Sequence, residues 1–168
     1  MKITSTDNKT GGATMSKQPI KHFKHTRFLA WVTLLCASSV VAQTANYGAI
    51  NVAPGFEPSS AIATGSTAGS FSLFSIANRD RDNNFCVGYS TSVTPDHVMT
   101  LQKDFPHLKL ELRSGRTSTT LVVKGPNGVI RCGIGSIEDK NWKAGEYEIW
   151  VGSKDEGVRG NYTLLVRE

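Results

Sequence analysis

The sequence predicts an all-β protein, an antiparallel β-sandwich that follows an N-terminal secretion signal. Three observations carry this. No stretch after residue 42 keeps a helical period, residues 71–168 break into seven or eight short alternating runs, and Gly, Pro, Asn and Asp cluster between those runs. Short strands at eight- to twelve-residue spacing are the pattern of a two-sheet β domain. At 168 residues the chain has room for one such domain and not comfortably for two.

The first 42 residues read as an N-terminal extension and signal peptide. Lys17, Lys21, Lys24 and Arg27 form a positive region, and Phe28–Cys36 is apolar apart from Thr33. Val40 and Ala42 then stand at the −3 and −1 positions of a cut before Gln43. The competing reading is a retained membrane anchor, but the apolar run from Phe28 to Ala42 falls short of the roughly 20 residues that span a bilayer. No membrane insertion is expected after cleavage. Leu35 stands before Cys36, where a lipoprotein signal needs a small residue. Residues 1–14 are polar, and a signal of ordinary length begins at Met15; a long positive region is the alternative.

Charge follows the same division. The formal charge is +5, but six of the 19 basic residues and one of the 14 acidic residues lie in residues 1–42. Residues 43–168 therefore carry thirteen of each and balance to zero. A mature domain without net charge has no overall attraction for phosphates or anionic lipid, so no nucleic acid is expected as partner.

Export also decides how the cysteines read. Cys36 leaves with the signal, and Cys86 and Cys132 remain. An even pair in an oxidising compartment favours one disulfide. It closes a loop of 46 residues, which the chain-entropy account values at about 4 kcal/mol at most. A metal pair is the alternative, weakened by the lack of a CxxC motif and by only His97 and His107 remaining.

Along the mature chain, residues 43–70 are rich in Gly, Ala, Ser, Thr and Pro and read as an irregular linker or arm, with Ile50 and Phe56 as points of attachment. The domain proper is expected over 71–168. Its strand candidates are 71–76, then 85–92 with Cys86, then 97–102, where Met99 and Leu101 share a face. In 107–113, Leu108, Leu110 and Leu112 face the core while Lys109 and Glu111 face water. Strand 119–124 runs into a hairpin signal at Gly125-Pro126-Asn127-Gly128, and 129–132 returns. Residues 133–144 read as a loop holding Trp142. In 145–153, Tyr147, Ile149 and Val151 point inward and Trp150 outward, and 161–167 closes the domain with Tyr162, Leu164 and Val166 on one face.

The run TTLVVKGPNG at 119–128, the turn Trp142-Lys143-Ala144-Gly145, YEIWVGS at 147–153 and the closing NYTLLVRE carry a family likeness. So do Cys86-Val87-Gly88-Tyr89 and Pro95-Asp96-His97. On these motifs the stretch from Cys86 to Glu168 resembles the bacterial pre-peptidase C-terminal domain family. The resemblance implies a jelly-roll-like β-sandwich of the kind found beside secreted proteases and alone in exported proteins. It also implies a pairing of the CxGY cysteine with the cysteine after the GPNG hairpin. Family members often carry carboxylates before the TTL strand and after the second hairpin strand, which suit Ca²⁺. Here those places read Arg116-Thr117-Ser118 and Cys132-Gly133-Ile134-Gly135, so no calcium ligand set carries over.

Other chemistry is thin. Asp80-Arg81-Asp82-Asn83-Asn84 begins like a calcium loop, but Phe85 and Thr91 stand where an EF-hand needs Gly and Glu, and a solvated turn is the better reading. Asp96-His97 lacks a nucleophile elbow, and His97 and His107 read as surface or strand-edge residues. Glu138-Asp139 and Asp155-Glu156 read as loop carboxylates that aid solubility, and Asn161-Tyr162-Thr163 fits a glycosylation pattern that a strand tyrosine also explains. Trp142 and Trp150 are the candidate ligand-binding residues, two rings on one surface able to receive a sugar or a partner protein. The alternative is that Trp150 packs under the 43–70 arm or against the other sheet.

The expectation is a secreted or periplasmic, non-enzymatic module that binds a protein or polysaccharide at the cell envelope, with no catalytic residue, metal or cofactor. A purely structural domain without ligand and a small secreted hydrolase are the competing readings.

Overall fold

The computed structural model describes residues 44–168. The expected signal, Met15 and Cys36 lie outside the described residues. Among the described residues eleven strands form, more than the seven or eight expected: β1 Gly48–Val52, β2 Ile62–Thr67, β3 Phe71–Ser72, β4 Tyr89–Ser90, β5 His97–Leu101, β6 Phe105–Arg113, β7 Thr119–Lys124, β8 Ile130–Ile134, β9 Ser136–Trp142, β10 Gly145–Ser153 and β11 Gly160–Arg167. The helical pieces among the described residues are short 3-10 turns.

The strands build two sheets, so the fold is an all-β sandwich. In the seven-stranded sheet β10 lies between β5 and β7, with Ile149 facing His97 on one side and Val123 on the other. β8 extends the sheet beyond β7, β1 beyond β5, and β4 and β3 continue past the end of β10. The second sheet has four strands in the order β2-β11-β6-β9. Pairing is antiparallel except between β1 and β5, which run parallel.

Alternation dictates the interior. Leu108, Leu110 and Leu112 of β6 and Tyr162, Leu164 and Val166 of β11 point into the sandwich, as their period-two spacing requires. Opposite them lie Met99 and Leu101 of β5, Leu121 and Val123 of β7, and Tyr147, Ile149 and Val151 of β10. Each fully buried Leu, Ile or Phe contributes roughly 1.5–3 kcal/mol relative to exposure.

Four stretches depart from the sequence reading. Residues 43–70 are not an irregular arm but contain β1 and β2, and Ile50 and Val52 belong to the main core. β1 is added in parallel to a strand almost 50 residues later in the chain, so no hairpin signal marks it, and β2 (IATGST) takes its order from pairing with β11 rather than from propensity. Residues 136–142 are a strand, not a loop: Ile137 and Trp142 are buried, but four polar residues separate them and Asn141 at φ 59° breaks the alternation. Residues 71–76 and 85–92 keep only two strand residues each, because Leu73 turns inward through a 3-10 turn and Cys86 sits in irregular chain.

The two sheets differ in what covers their outer faces. Over the seven-stranded sheet lies the segment from Leu73 to Gly88, whose Leu73, Ile76, Ala77 and Cys86 pack on Val122 and Trp150. It is held by the Cys86–Cys132 disulfide, which joins this segment to β8. The carbonyl of Gly88 accepts from the Leu73 N–H, closing the base of the segment. Among the described residues no such segment lies over the outer face of the four-stranded sheet.

Candidate functional site

The two tryptophans expected to form a binding platform are both buried, and that expectation is corrected. Trp142 is wholly enclosed at the end of β9, where its indole N–H donates to the Asp139 carbonyl at 3.0 Å. The Arg131 guanidinium lies 4.1 Å from its ring centroid, and the Tyr147 ring packs alongside at 5.3 Å. Trp150 does point outward from β10, as its period predicts, but the segment 73–88 lies over it and its N–H donates to Val93 O at 2.9 Å. The cover is this segment, neither the 43–70 stretch nor the opposite sheet. A loop enclosed by a disulfide gave no periodic signal from which that cover could be foreseen.

His97 and Asp96 are also interior, against the expectation of a surface histidine. His97 shares the inward face of β5 with Met99 and Leu101, and its Nε2 lies 2.9 Å from the Tyr162 hydroxyl. Burial lowers its pKa to about 4 and raises that of Tyr162. Asp96 accepts from the Val151 N–H at 2.7 Å, from Asn46 Nδ2 at 3.3 Å and from Ser90 Oγ at 3.3 Å. Burial pushes its carboxyl up, against the pull of those donors. The imidazole thus meets a phenol, and the carboxylate meets a serine without an imidazole between them. Asn46 and Tyr47 also donate backbone N–H groups to Pro95 and Asp96, so the cluster anchors the chain that leads into β1.

The remaining sequence candidates resolve into local structure. Asp80 Oδ1 accepts from the N–H groups of Asp82 and Asn84 at 2.9 and 2.8 Å, closing the 80–84 turn on itself. Asp139 holds buried Arg131 at 2.6 Å and Arg81 at 3.2 Å, on a strand rather than in a loop. Among the described residues no group of three His, Cys, Asp or Glu side chains is placed to hold a metal.

A different surface remains, the uncovered face of the four-stranded sheet. The cross-strand pairs Ile62–Leu165, Thr64–Thr163 and Ser66–Asn161 run in register along β2 and β11. Because Ala63, Leu164 and Tyr162 point inward, these pairs point outward. They floor two adjoining cavities, one of about 520 Å³ toward Phe56, Pro58 and Ile62, the other of about 470 Å³ toward Thr64, Ser66, Asn161 and Arg113. Tyr47 rims the second, its hydroxyl 3.0 Å from both the carbonyl and the hydroxyl of Ser66. The result is a groove with an apolar end and a hydroxyl- and amide-lined end. Sequence reasoning missed it because β2 was not recognised; the outward positions of β11 (Asn161, Thr163, Leu165) were legible by alternation alone.

The chain is similar to a pre-peptidase C-terminal domain. One similar solved structure is that of the domain from a Bacillus anthracis collagenase, with 16% identity, coverage of 71% of this chain and 94% of that one, and a TM-score of 0.37. Neither a protein-family model nor a curated protein matches the sequence. The two-sheet architecture stands on the strand pairing itself, and the family likeness on the motifs at 86–89, 119–128, 142–153 and 161–168.

Proposed function

We propose that the chain is an exported, non-catalytic accessory module whose uncovered four-stranded face binds a polysaccharide at the cell envelope. One observation carries the reading: of the two outer faces, one lies beneath a disulfide-held segment and the other, among the described residues, presents two neighbouring cavities along β2 and β11. The hydroxyls of Thr64, Ser66 and Thr163 and the Asn161 amide suit sugar hydroxyls, which both donate and accept. Ile62 and Leu165 offer an apolar strip for the CH faces of a ring. Export is supported by the Cys86–Cys132 bond, which is stable in an oxidising compartment and rare in a reducing one.

Two measurements test the proposal. Mass spectrometry of the native product should find an N-terminus at Gln43 and oxidised Cys86 and Cys132; an intact N-terminus with free thiols removes the export reading. Affinity electrophoresis of the purified protein through gels containing polysaccharides should show retardation that Thr163→Trp abolishes without lowering Tm. Retardation unchanged by that substitution removes the groove as the site.

A further inference from the structure

Charge on the same face narrows the ligand. Alternate residues of β6 (His107, Lys109, Glu111 and Arg113) point outward at intervals of about 7 Å. Lys140 of β9 is the cross-strand neighbour of His107, and Arg167 of β11 that of Lys109. The two carboxylates among them are each shared. Glu138 is 3.2 Å from Lys109 Nζ and 3.3 Å from His107 Nε2, and Glu111 is 3.1 Å from Arg113 Nε and 3.7 Å from an Arg167 nitrogen. Bonding to Lys109 and to Arg113 respectively holds both carboxyls below the ordinary glutamate range, so both stay ionised.

Lys109, Arg113, Lys140 and Arg167 therefore face Glu111 and Glu138, four strong cations against two carboxylates. The outward positions of β6, β9 and β11 keep a surplus of two positive charges in a region, 43–168, whose side-chain charges sum to zero. The surplus runs beside the hydroxyl-lined groove, since Arg113 borders the cavity that Asn161 and Thr163 floor.

We propose that the uncovered face binds an acidic polysaccharide, its anionic groups along the β6 cations and its hydroxyls in the β2–β11 groove. This deepens, and rests on, the assignment of that face as the binding surface. A polynucleotide would meet the same cations, but the outward positions of these four strands present no Phe, Tyr or Trp. Tyr47 at the rim is a single ring whose hydroxyl is held by Ser66, so no row of rings offers itself to successive bases.

The test uses the purified full chain and three soluble probes: polygalacturonate, dextran and oligothymidylate. Polygalacturonate should bind, with affinity falling as salt is raised because exposed charges are screened. The combined Lys109→Gln, Arg113→Gln and Lys140→Gln variant should bind about tenfold more weakly, while Lys154→Gln, outside the face, should bind as before. Lys140→Gln alone, the mildest change, should show a smaller loss in the same direction if the triple variant folds poorly. Dextran bound as tightly and without salt dependence overturns the acidic ligand, and the face survives if Thr163→Trp still blocks it. Oligothymidylate bound more tightly than polygalacturonate also overturns it. Polygalacturonate binding untouched by any of these substitutions, or no glycan binding at all, overturns both the ligand and the face.

Discussion

His97 Nε2 and the Tyr162 hydroxyl meet at 2.9 Å inside the sandwich and so join β5 of one sheet to β11 of the other. Burial of the imidazole there sets a pH dependence. Folding lowers the imidazole pKa from 6.5 to about 4, so across that interval the unfolded chain binds more protons than the folded one. Stability is then fully present above pH 6.5 and is lost as pH falls toward 4, by on the order of 3 kcal/mol. Asp96, whose pKa is raised by burial, acts in the opposite sense in the carboxylate range. Urea unfolding between pH 4.5 and 7 should show the rise, and His97→Gln should flatten it. An equal slope in the variant would assign it elsewhere.

Trp142→Ala and Trp150→Ala should each destabilise the fold by roughly 3–5 kcal/mol, the cost of emptying a buried aromatic site. Thermal melts of the two variants give the answer. A Tm close to that of the parent would mean that the rings are not enclosed as described.

Asp139→Asn should be costly although the carboxylate lies near the surface. Arg131 is only 4% exposed and loses its 2.6 Å partner, and a buried charge left unpaired costs about 3–5 kcal/mol. Arg131→Met with Asp139→Asn should recover part of that loss, which a double-mutant cycle in urea measures.

Reducing Cys86–Cys132 should lower stability by about 2–4 kcal/mol and loosen the segment over Trp150. Acrylamide quenching of tryptophan emission should rise with dithiothreitol in the parent and not in the single variant Trp150→Phe.

Gly65→Ala should weaken the β2–β11 edge. A methyl group there runs into the ring and hydroxyl of Tyr162 and the ring of Tyr47, and overpacking of this kind costs typically 1–3 kcal/mol. Circular dichroism melts test it, with Thr64→Ala, whose side chain faces out, as the near-neutral comparison.

What could be seen in the chain of residues was whatever is local. The leucines of β6 and the alternation of β10 and β11 each name their own buried face, since period-two patterning needs no partner. β1 and β2 were hidden because their order comes from strands far along the chain. β9 was hidden because Asp139 spends an inward position on Arg131 rather than on an apolar contact. Trp150 shows the limit most clearly. Its direction was predicted correctly, but a covering segment of irregular chain decides its exposure, and alternation says nothing of that. The candidate groove depends on β2 and was out of reach for the same reason.

The position of β11 has a consequence for how the molecule is made. This final strand sits between β2 and β6, pairing Leu165 with Ile62 on one side and with Glu111 on the other. The smaller sheet therefore closes only once β11 has been made, although β6 and β9 can pair before it, and contacts as distant in order as those of β2 and β11 are slow to form. Until β11 arrives, β2 has no strand to pair with in that sheet, and losing β11 would leave β6 paired with β9 alone.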